Sequence, residues 1–96
     1  MANELPLRGA LIGCGYFGQI QLEAWRRMEG VEIVAACDPR VEAAAKSAPR
    51  AYATAEELLD REQLDFIDIA TRPASHLELV RLAAQRGIPA IVQKPL

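Results

Sequence analysis

The sequence predicts an α/β fold in which helices cover both faces of a parallel β-sheet. Short apolar runs alternate with amphipathic stretches along all 96 residues, which is typical of strand–helix–strand units. Three glycines in a G-x-G-x-x-G pattern, Gly13, Gly15 and Gly18, follow the first apolar run, and Asp38 ends the second. Right-handed crossovers between such units lead to the spatial strand order 3-2-1-4-5.

Composition limits the chain to one domain, residues 1–96, with a modest core. The net charge of −2 leaves no basic surface for nucleic acid, and no apolar run is long enough to cross a membrane. The first residues lack the basic and apolar regions of a secretory signal. Cys14, Cys37 and the single His76 have no metal-ligand spacing, so no metal site is expected. These observations predict a cytoplasmic protein.

The first strand–helix unit is predicted over residues 7–28. Residues 7–14 are apolar on both faces, as expected of a strand in the middle of a parallel sheet. Residues 16–28 have helical periodicity, and Gly30 ends the helix. The stripe expected to face the core consists of Phe17, Ile20, Ala24, Trp25 and Met28.

The second strand is predicted over residues 31–37, which are rich in β-branched side chains. A helix over residues 39–47 follows, with proline at its first position. Residues 51–53 form a short third strand. A capping-box pattern then starts a third helix over residues 54–61.

The fourth strand is predicted over residues 65–71, followed by a turn at 72–74. A second capping-box pattern starts a helix at Ser75, which stops at Gly87. Residues 88–92 form the fifth strand. The fourth helix is expected to bury one stripe of residues, Leu77, Val80, Ala83 and Ala84.

The glycine pattern has a physical reason that predicts a Rossmann-type dinucleotide site. Gly13 permits the tight turn out of the strand, Gly15 lets a pyrophosphate approach the backbone, and Gly18 allows close packing of the helix. The free N–H groups at the start of that helix, at Tyr16 and Phe17, then face the phosphates. A bare tight turn between strand and helix is the alternative.

Asp38 stands where a carboxylate accepts hydrogen bonds from the adenosine ribose hydroxyls, and it would repel a 2′-phosphate. This position predicts NAD as the cofactor. Arg40, two residues later, is able to accommodate a 2′-phosphate, so the use of NADP stays open. The alternative role of Asp38 is to cap the helix that follows it.

Further candidate residues follow the fourth and fifth strands, at the same edge of the sheet. Thr71, Arg72, Pro73 and His76 lie where the nicotinamide half of a cofactor would pass. A plain surface arginine and a solvated or capping histidine are the alternatives for two of them. Lys94 follows the fifth strand, where a lysine would position a substrate hydroxyl and favour its alkoxide character. An ordinary charged chain end is the alternative there.

These motifs resemble the Gfo/Idh/MocA oxidoreductases over residues 7–96. The resemblance rests on the glycine pattern, A-C-D-P-R after the second strand, D-F-I-D-I-A-T-R-P-A-S-H, A-A-Q-R-G-I-P and the terminal x-K-P. It implies NAD(P)-dependent oxidation of a hydroxyl on a sugar, cyclitol or related polyol, which would be the small-molecule substrate.

The resemblance also implies roles for individual residues. The glycine loop would hold the pyrophosphate and Asp38 the ribose, while the 71–76 segment matches the family's Thr-Pro…His segment with Arg72 inserted. Lys94 corresponds to the family's catalytic lysine, and both it and Gln93 are expected beside the cofactor. Gln93 replaces the usual glutamate, and an amide forms hydrogen bonds but carries no charge to hold the lysine ammonium.

Family members are much longer than this chain, so the resemblance predicts that the sixth strand and the C-terminal substrate domain are absent. That domain supplies most of the substrate pocket and the interface of homo-oligomers. The 96 residues alone are then expected to bind NAD weakly, without turnover. One alternative is a stand-alone NAD sensor or interaction module that uses the exposed edge of the fifth strand. A methyl-donor site is a second alternative, which the close approach at Gly18 and the terminal Lys-Pro disfavour.

Overall fold

The computed structural model describes residues 6–92, which form a five-stranded parallel sheet with the order β3-β2-β1-β4-β5. The predicted fold class and strand order are therefore confirmed. In chain order the elements are β1 (Leu7–Ile12), α1 (Tyr16–Arg26), β2 (Val31–Cys37), α2 (Val41–Ser47), β3 (Arg50–Tyr52), α3 (Ala55–Arg61), β4 (Phe66–Ile69), a 3₁₀ turn (Pro73–Ser75), α4 (His76–Gln85) and β5 (Ala90–Val92).

Two apolar cores lie on opposite faces of the sheet, as the prediction of helices on both faces requires. Strand β1 pairs with β2 on one side and β4 on the other, so its alternate side chains enter different cores. The core under α1 and α2 contains Leu11, Leu22, Ala36 and Ala44. The core under α3 and α4 contains Ile12, Leu58, Ile67, Ile69 and Leu79.

The orientation predicted for α1 is wrong. Gly18 and Leu22 face the sheet, because the helix approaches β1 so closely at Gly18 that any side chain there would overlap the carbonyl oxygen of Gly13. Hydrophobic periodicity considers only apolar side chains. It therefore does not include Gly18, and it selects a neighbouring face of the helix. The residues of the predicted stripe that are exposed instead are Phe17, Ile20, Ala24 and Met28.

The stripe predicted for α4 is correct only in part. Ala83 is buried as expected and Val80 is half-buried, but Leu77 is 67% exposed. The buried leucine is Leu79, because the 3₁₀ turn before the helix sets the direction of its first residues. Ala84 is exposed as well.

Trp25 is half-buried and lies against β4. Its ring centroid is 4.8 Å from that of Phe66, with the two planes tilted by 42°, an arrangement that aromatic pairs favour. The indole Nε1 donates a hydrogen bond of 2.6 Å to Asp68, a fully buried carboxylate that Gln21 also contacts at 3.5 Å. Trp25 therefore packs and forms a polar contact at the same time.

Element boundaries differ from the predicted ones by at most two residues. Helix α2 begins at Val41 instead of residue 39, since the backbone at Arg40 is still extended. The Thr54 cap of the first capping-box pattern is confirmed, because the Thr54 hydroxyl accepts a hydrogen bond from the Glu57 amide at 3.2 Å. The second is not formed, since Ser75 makes no side-chain cap.

A buried ionic cluster closes the amino-terminal edge of the sheet. Glu62 follows α3, and its side chain is only 3% exposed. It accepts two hydrogen bonds from Arg50, at 2.6 and 2.8 Å, and one from the Tyr52 hydroxyl at 2.5 Å. Arg8 lies 3.8 Å away as a second cation. Side chains from two strands, β1 and β3, thus surround this carboxylate.

Candidate cofactor site

A cleft of about 620 Å³ lies at the carboxyl ends of β1, β2 and β4. The topology brings these three strand ends together because the strand order reverses between β1 and β4. Seven of the residues predicted from the sequence line this cleft, namely Gly13, Gly15, Tyr16, Asp38, Arg40, Thr71 and Arg72.

Two glycines of the loop are required by close backbone contacts. Gly13 has a φ of +100°, and a Cβ there would lie 2.9 Å from the carbonyl oxygen of Ala70 in the chain that leaves β4. Gly18 leaves no room for a Cβ against the Gly13 carbonyl. Both positions therefore exclude side chains so that strand, loop and helix can meet.

Gly15 lacks a side chain for a different reason. A Cβ built on Gly15 would meet no atom within 4 Å, so its neighbourhood is open to a ligand. Gly15 caps α1 without a side-chain hydrogen bond, and no acidic residue lies in the first turn. The first intrahelical bond runs from the Gln19 amide to the Gly15 carbonyl at 2.9 Å. The earlier amides of α1 therefore point beyond the helix end, which is the arrangement that binds anions.

Asp38 is 8% exposed and connects two loops through its carboxylate. Oδ2 accepts a hydrogen bond from the Cys14 amide at 2.8 Å, and Oδ1 accepts one from the Arg40 amide at 2.9 Å. Burial by itself would raise the pKa of this carboxyl. The hydrogen bonds from the two amides and the nearby Arg40 guanidinium outweigh burial and lower the pKa.

Arg40 has one ionic partner, Asp38, with 3.5 Å between Nε and Oδ1. Its side chain is 70% exposed at the rim of the cleft. The capping alternative for Asp38 is also observed in part, because its Oδ1 binds the amide of the residue that precedes α2.

The segment after β4 is closed by a histidine. His76 Nε2 lies 2.9 Å from the carbonyl oxygen of Thr71, and Pro73 starts the 3₁₀ turn between them. The exposed Arg72 lies at the rim of the cleft. Among the described residues, His76, Pro73, Phe17 and Gly18 are not part of the cleft lining. His76 and Gly18 instead contact the backbone carbonyls of Thr71 and Gly13, which line the cleft.

Gln93 and Lys94 lie outside the described residues, so the catalytic role of Lys94 and the expected position of Gln93 beside the cofactor stay predictions. No group of side chains suited to a metal ion is found within residues 6–92. Cys14 and Cys37 are buried free thiols, and burial raises the pKa of both, that of Cys37 to about 12. No helix of the described part is long and apolar enough to span a membrane.

Two residues near the site, Gln19 and Ser47, were missed by sequence reasoning. Gln19 Nε2 donates to the carbonyl oxygen of Cys14 at 3.1 Å and to the Ser47 hydroxyl at 2.9 Å. Ser47 is 2% exposed and donates to the Ala43 carbonyl at 2.8 Å. A polar residue four positions after the second glycine was the only sequence signal for Gln19.

An apolar recess of about 310 Å³ adjoins the cleft between α3 and α4. It shares Ile12, Pro39 and Thr71 with the cleft and adds Thr54 and Leu79. The glycine loop, the carboxylate and this recess therefore form one continuous concave surface. Its chemistry fits a dinucleotide, with room for phosphates at a helix start, an acceptor for hydroxyls and an apolar pocket for a base.

Comparison with known proteins agrees with this geometry. Residues 7–96 match the model of the GFO_IDH_MocA family, described as an oxidoreductase family with an NAD-binding Rossmann fold. A D-apiose dehydrogenase from Paraburkholderia graminis is 53% identical over 93 residues, which are 92% of this chain and 25% of that protein. An inositol 2-dehydrogenase from an Arthrobacter species is 33% identical over 94% of this chain and 28% of its own length.

Solved structures match equally well. The crystal structure of an oxidoreductase from Agrobacterium radiobacter, in complex with NAD⁺, L-tartaric acid and magnesium, superposes with a TM-score of 0.86 at 41% identity. The match covers 93% of this chain and 28% of that one. Myo-inositol 2-dehydrogenase from Lactobacillus plantarum gives 0.87 at 27% identity, over 94% and 28%. The chain spans about 25–30% of the length of its curated relatives. It belongs to the Gfo/Idh/MocA oxidoreductase family and forms that family's NAD-binding Rossmann domain.

Proposed function

We propose that residues 1–96 are the cofactor-binding part of an NAD-dependent dehydrogenase that oxidises a hydroxyl group of a sugar, cyclitol or other polyol. The observation that carries the proposal is the single cleft in which Gly15, the start of α1 and Asp38 meet. The substrate class is supported by the relatives, which include D-apiose and inositol dehydrogenases.

The chain's own residues would each hold a different part of the cofactor. The open side of Gly15 and the first amides of α1 would bind the pyrophosphate. Asp38 would accept hydrogen bonds from the adenosine ribose, and the recess beside Pro39 and Leu79 would receive the adenine. Thr71 and Arg72 would line the path of the nicotinamide half.

Bound NAD would supply the hydride acceptor, and the chain's residues would position the substrate hydroxyl. Lys94 would place its ammonium group beside the reacting hydroxyl and stabilise its alkoxide form. Gln93, as an amide, would hold that lysine only by hydrogen bonding. Mutation of Lys94 to Ala would then abolish oxidation by a full-length enzyme while leaving NAD binding intact.

We expect NAD to be preferred over NADP. The ionised carboxylate of Asp38 is close to where a 2′-phosphate would lie, and the repulsion opposes NADP. Arg40 would offset part of this repulsion, because its exposed guanidinium is at the same rim. Parallel calorimetric titrations with the two cofactors test the preference, and clearly tighter binding of NADP would overturn it.

The test of cofactor binding uses Gly15→Val. The added side chain would enter the space kept open for the pyrophosphate while touching no protein atom within 4 Å of its Cβ. We expect the variant to keep its thermal unfolding temperature within a few degrees and to lose at least about tenfold in NAD⁺ affinity. Wild-type protein that fails to bind NAD⁺, or a variant that binds it unchanged, would contradict the proposal.

A separate experiment tests catalytic turnover. The prediction that the 96 residues bind cofactor without turnover is tested by adding D-apiose or myo-inositol with NAD⁺ and following NADH absorbance. We expect no NADH above the rate without sugar. The cytoplasm is the compartment we propose, because Cys14 and Cys37 are both free thiols.

A non-catalytic NAD sensor or interaction module is the second candidate. It is favoured by the exposed apolar side chains of Ile20 on α1 and Met28 just after it, which are 47% and 52% exposed. Light scattering with and without NAD⁺ separates the two candidates. A cofactor-dependent dimer of defined mass would favour the module.

A further inference from the structure

Asp38 stands between the glycine loop and the end of β2, and several contacts join these two segments. The Gly13 amide donates to the Cys37 carbonyl at 2.8 Å, and the Cys14 amide donates to Asp38 at 2.8 Å. The Cys14 thiol also points to the Cys37 carbonyl, at 3.5 Å. Cys37, the last residue of β2, and Asp38, which follows it, therefore accept hydrogen bonds from two consecutive residues of the loop.

The peptide groups on either side of Cys14 are held from opposite directions. The amide of Cys14 is bound by the Asp38 carboxylate, and its carbonyl oxygen accepts from Gln19 at 3.1 Å. Gln19 is in turn bound to Ser47 on α2. Asp38 therefore holds the Gly13–Cys14 peptide, and Gln19, supported by Ser47 on α2, holds the Cys14–Gly15 peptide.

The Asp38 carboxylate is able to accept hydrogen bonds from these backbone amides and from a ligand at the same time. Its two oxygens offer about four acceptor positions, and the described backbone amides of Cys14 and Arg40 occupy one on each oxygen. The pKa of Asp38 is lowered, so the group is ionised at neutral pH and its hydrogen bonds are charge-assisted. Ribose hydroxyls would use acceptor positions that these amides leave.

The geometry points to a second role for Asp38, as the residue that holds the glycine loop in its phosphate-binding shape before a cofactor arrives. This inference rests on the proposed NAD binding. It means that the affinity for the pyrophosphate depends on Asp38, in addition to the affinity for the ribose. Substitutions of Asp38 intended to change the preference from NAD to NADP would weaken both cofactors, because the loop loses its support.

The decisive probe is a ligand that carries the phosphates but no ribose hydroxyls. ADP and 2′,3′-dideoxyadenosine 5′-diphosphate differ only in the two hydroxyls that Asp38 would bind. We expect Asp38→Asn, titrated by NMR, to weaken the dideoxy ligand by about tenfold or more, since Asn carries no charge and has one acceptor oxygen for the two backbone amides of Cys14 and Arg40. Equal affinity of wild type and variant for the dideoxy ligand would overturn the inference.

The matched control is Glu42→Gln, which makes the same chemical change in the exposed first turn of α2. We expect it to change the affinity for either ligand by less than about twofold. If this control weakened the dideoxy ligand as much as Asp38→Asn does, general electrostatics would explain the effect and the inference would be wrong. Failure of the wild type to bind ADP would instead count against the proposed function.

A measurement on the wild type alone keeps the inference testable if Asp38→Asn does not fold. Hydrogen exchange of the Cys14 amide in ligand-free protein reports directly on the hydrogen bond to Asp38. We expect this amide to exchange at least about tenfold more slowly than the amides of the exposed residues Gln63 and Ala74. Exchange as fast as theirs would mean that the loop is not held, and would refute the role.

Discussion

Two buried carboxylates, at opposite edges of the sheet, have the same exposure and different surroundings. Asp38 and Glu62 are each 8% exposed. The donors to Asp38 are mainly backbone amides of two loops, and one side of its carboxylate faces a cleft. Glu62 is surrounded by the side chains of Arg50, Tyr52 and Arg8.

This difference in hydrogen-bond donors distinguishes a carboxylate suited to ligand binding from one suited to stabilising the fold. Side-chain donors from β1 and β3 satisfy Glu62, so this carboxylate joins elements and offers no surface to a small molecule. Backbone donors are fixed by the fold, and the Asp38 carboxylate that they hold lines the cleft. A buried acid that lines a cavity and is held by amides is therefore the better candidate for ligand binding.

The largest effect is expected for Gly18→Ala, which disrupts the contact between α1 and the glycine loop at the carboxyl edge of the sheet. The methyl group would overlap the Gly13 carbonyl oxygen, a backbone atom of the loop, so helix and loop must separate. We expect the free energy of unfolding to fall by about 3 kcal/mol and NAD⁺ binding to be lost. Urea unfolding and calorimetry measure both, with Gly15→Ala as the control that keeps stability. A Gly18→Ala protein with wild-type stability would contradict the close approach.

Glu62→Gln tests the other edge and should have the opposite balance of effects. The neutral amide loses its charge-assisted bonds to Arg50, and we expect the free energy of unfolding to fall by about 1–2 kcal/mol. NAD⁺ affinity should stay unchanged because Glu62 is at the far edge of the sheet. The matched control is Glu29→Gln at an exposed loop position. A loss of cofactor affinity in Glu62→Gln would remove the distinction between the two edges.

The contribution of Glu62 to the free energy of unfolding should depend on pH. The Arg50 guanidinium lowers the pKa of Glu62, followed by the opposing effect of burial and a further lowering by the Tyr52 hydroxyl. A carboxyl whose folded-state pKa is depressed stabilises the fold above its ordinary pKa of 4.5, and this stabilisation is lost as the pH falls through the folded value. The stability difference between wild type and Glu62→Gln should therefore shrink below about pH 4.5. Urea midpoints from neutral to acid pH measure it, and a constant difference would refute the assignment.

The smallest effect is expected for Gln19→Ala, which removes a hydrogen-bonding side chain at the carboxyl edge of the sheet. The variant removes the bonds to the Cys14 carbonyl and the Ser47 hydroxyl. We expect a loss of about 0.5–1 kcal/mol in stability and a weakening of NAD⁺ by about threefold. Thermal unfolding and calorimetry test both, with Gln85→Ala at the end of α4 as a control that changes neither.

Sequence reasoning predicted the parts of the site that depend on local geometry. The glycine spacing predicted the turn after β1, and Asp38 predicted the end of β2. Each pattern lies within a single strand–helix unit. The burial of Leu22 in place of Phe17 could not be predicted from hydrophobic periodicity, since the contact that orients α1 is made by Gly18.

Contacts between distant segments were beyond the sequence pattern. The bond from His76 to the Thr71 carbonyl depends on how the loop after β4 closes. The Glu62 cluster depends on three elements meeting at one edge, and the donor to Asp38 is a backbone amide, which no residue type identifies. Such partners become visible only when the fold brings the segments together.

Trp25 gives the domain a built-in optical reporter. It is the only tryptophan of the chain, and its ring is set against Phe66 with a carboxylate on its nitrogen. Unfolding would separate the indole from both partners and shift its emission to longer wavelength. Binding of the reduced cofactor in the nearby cleft would instead quench the emission by energy transfer without shifting it. One fluorophore would thus distinguish a variant that fails to fold from one that folds but does not bind.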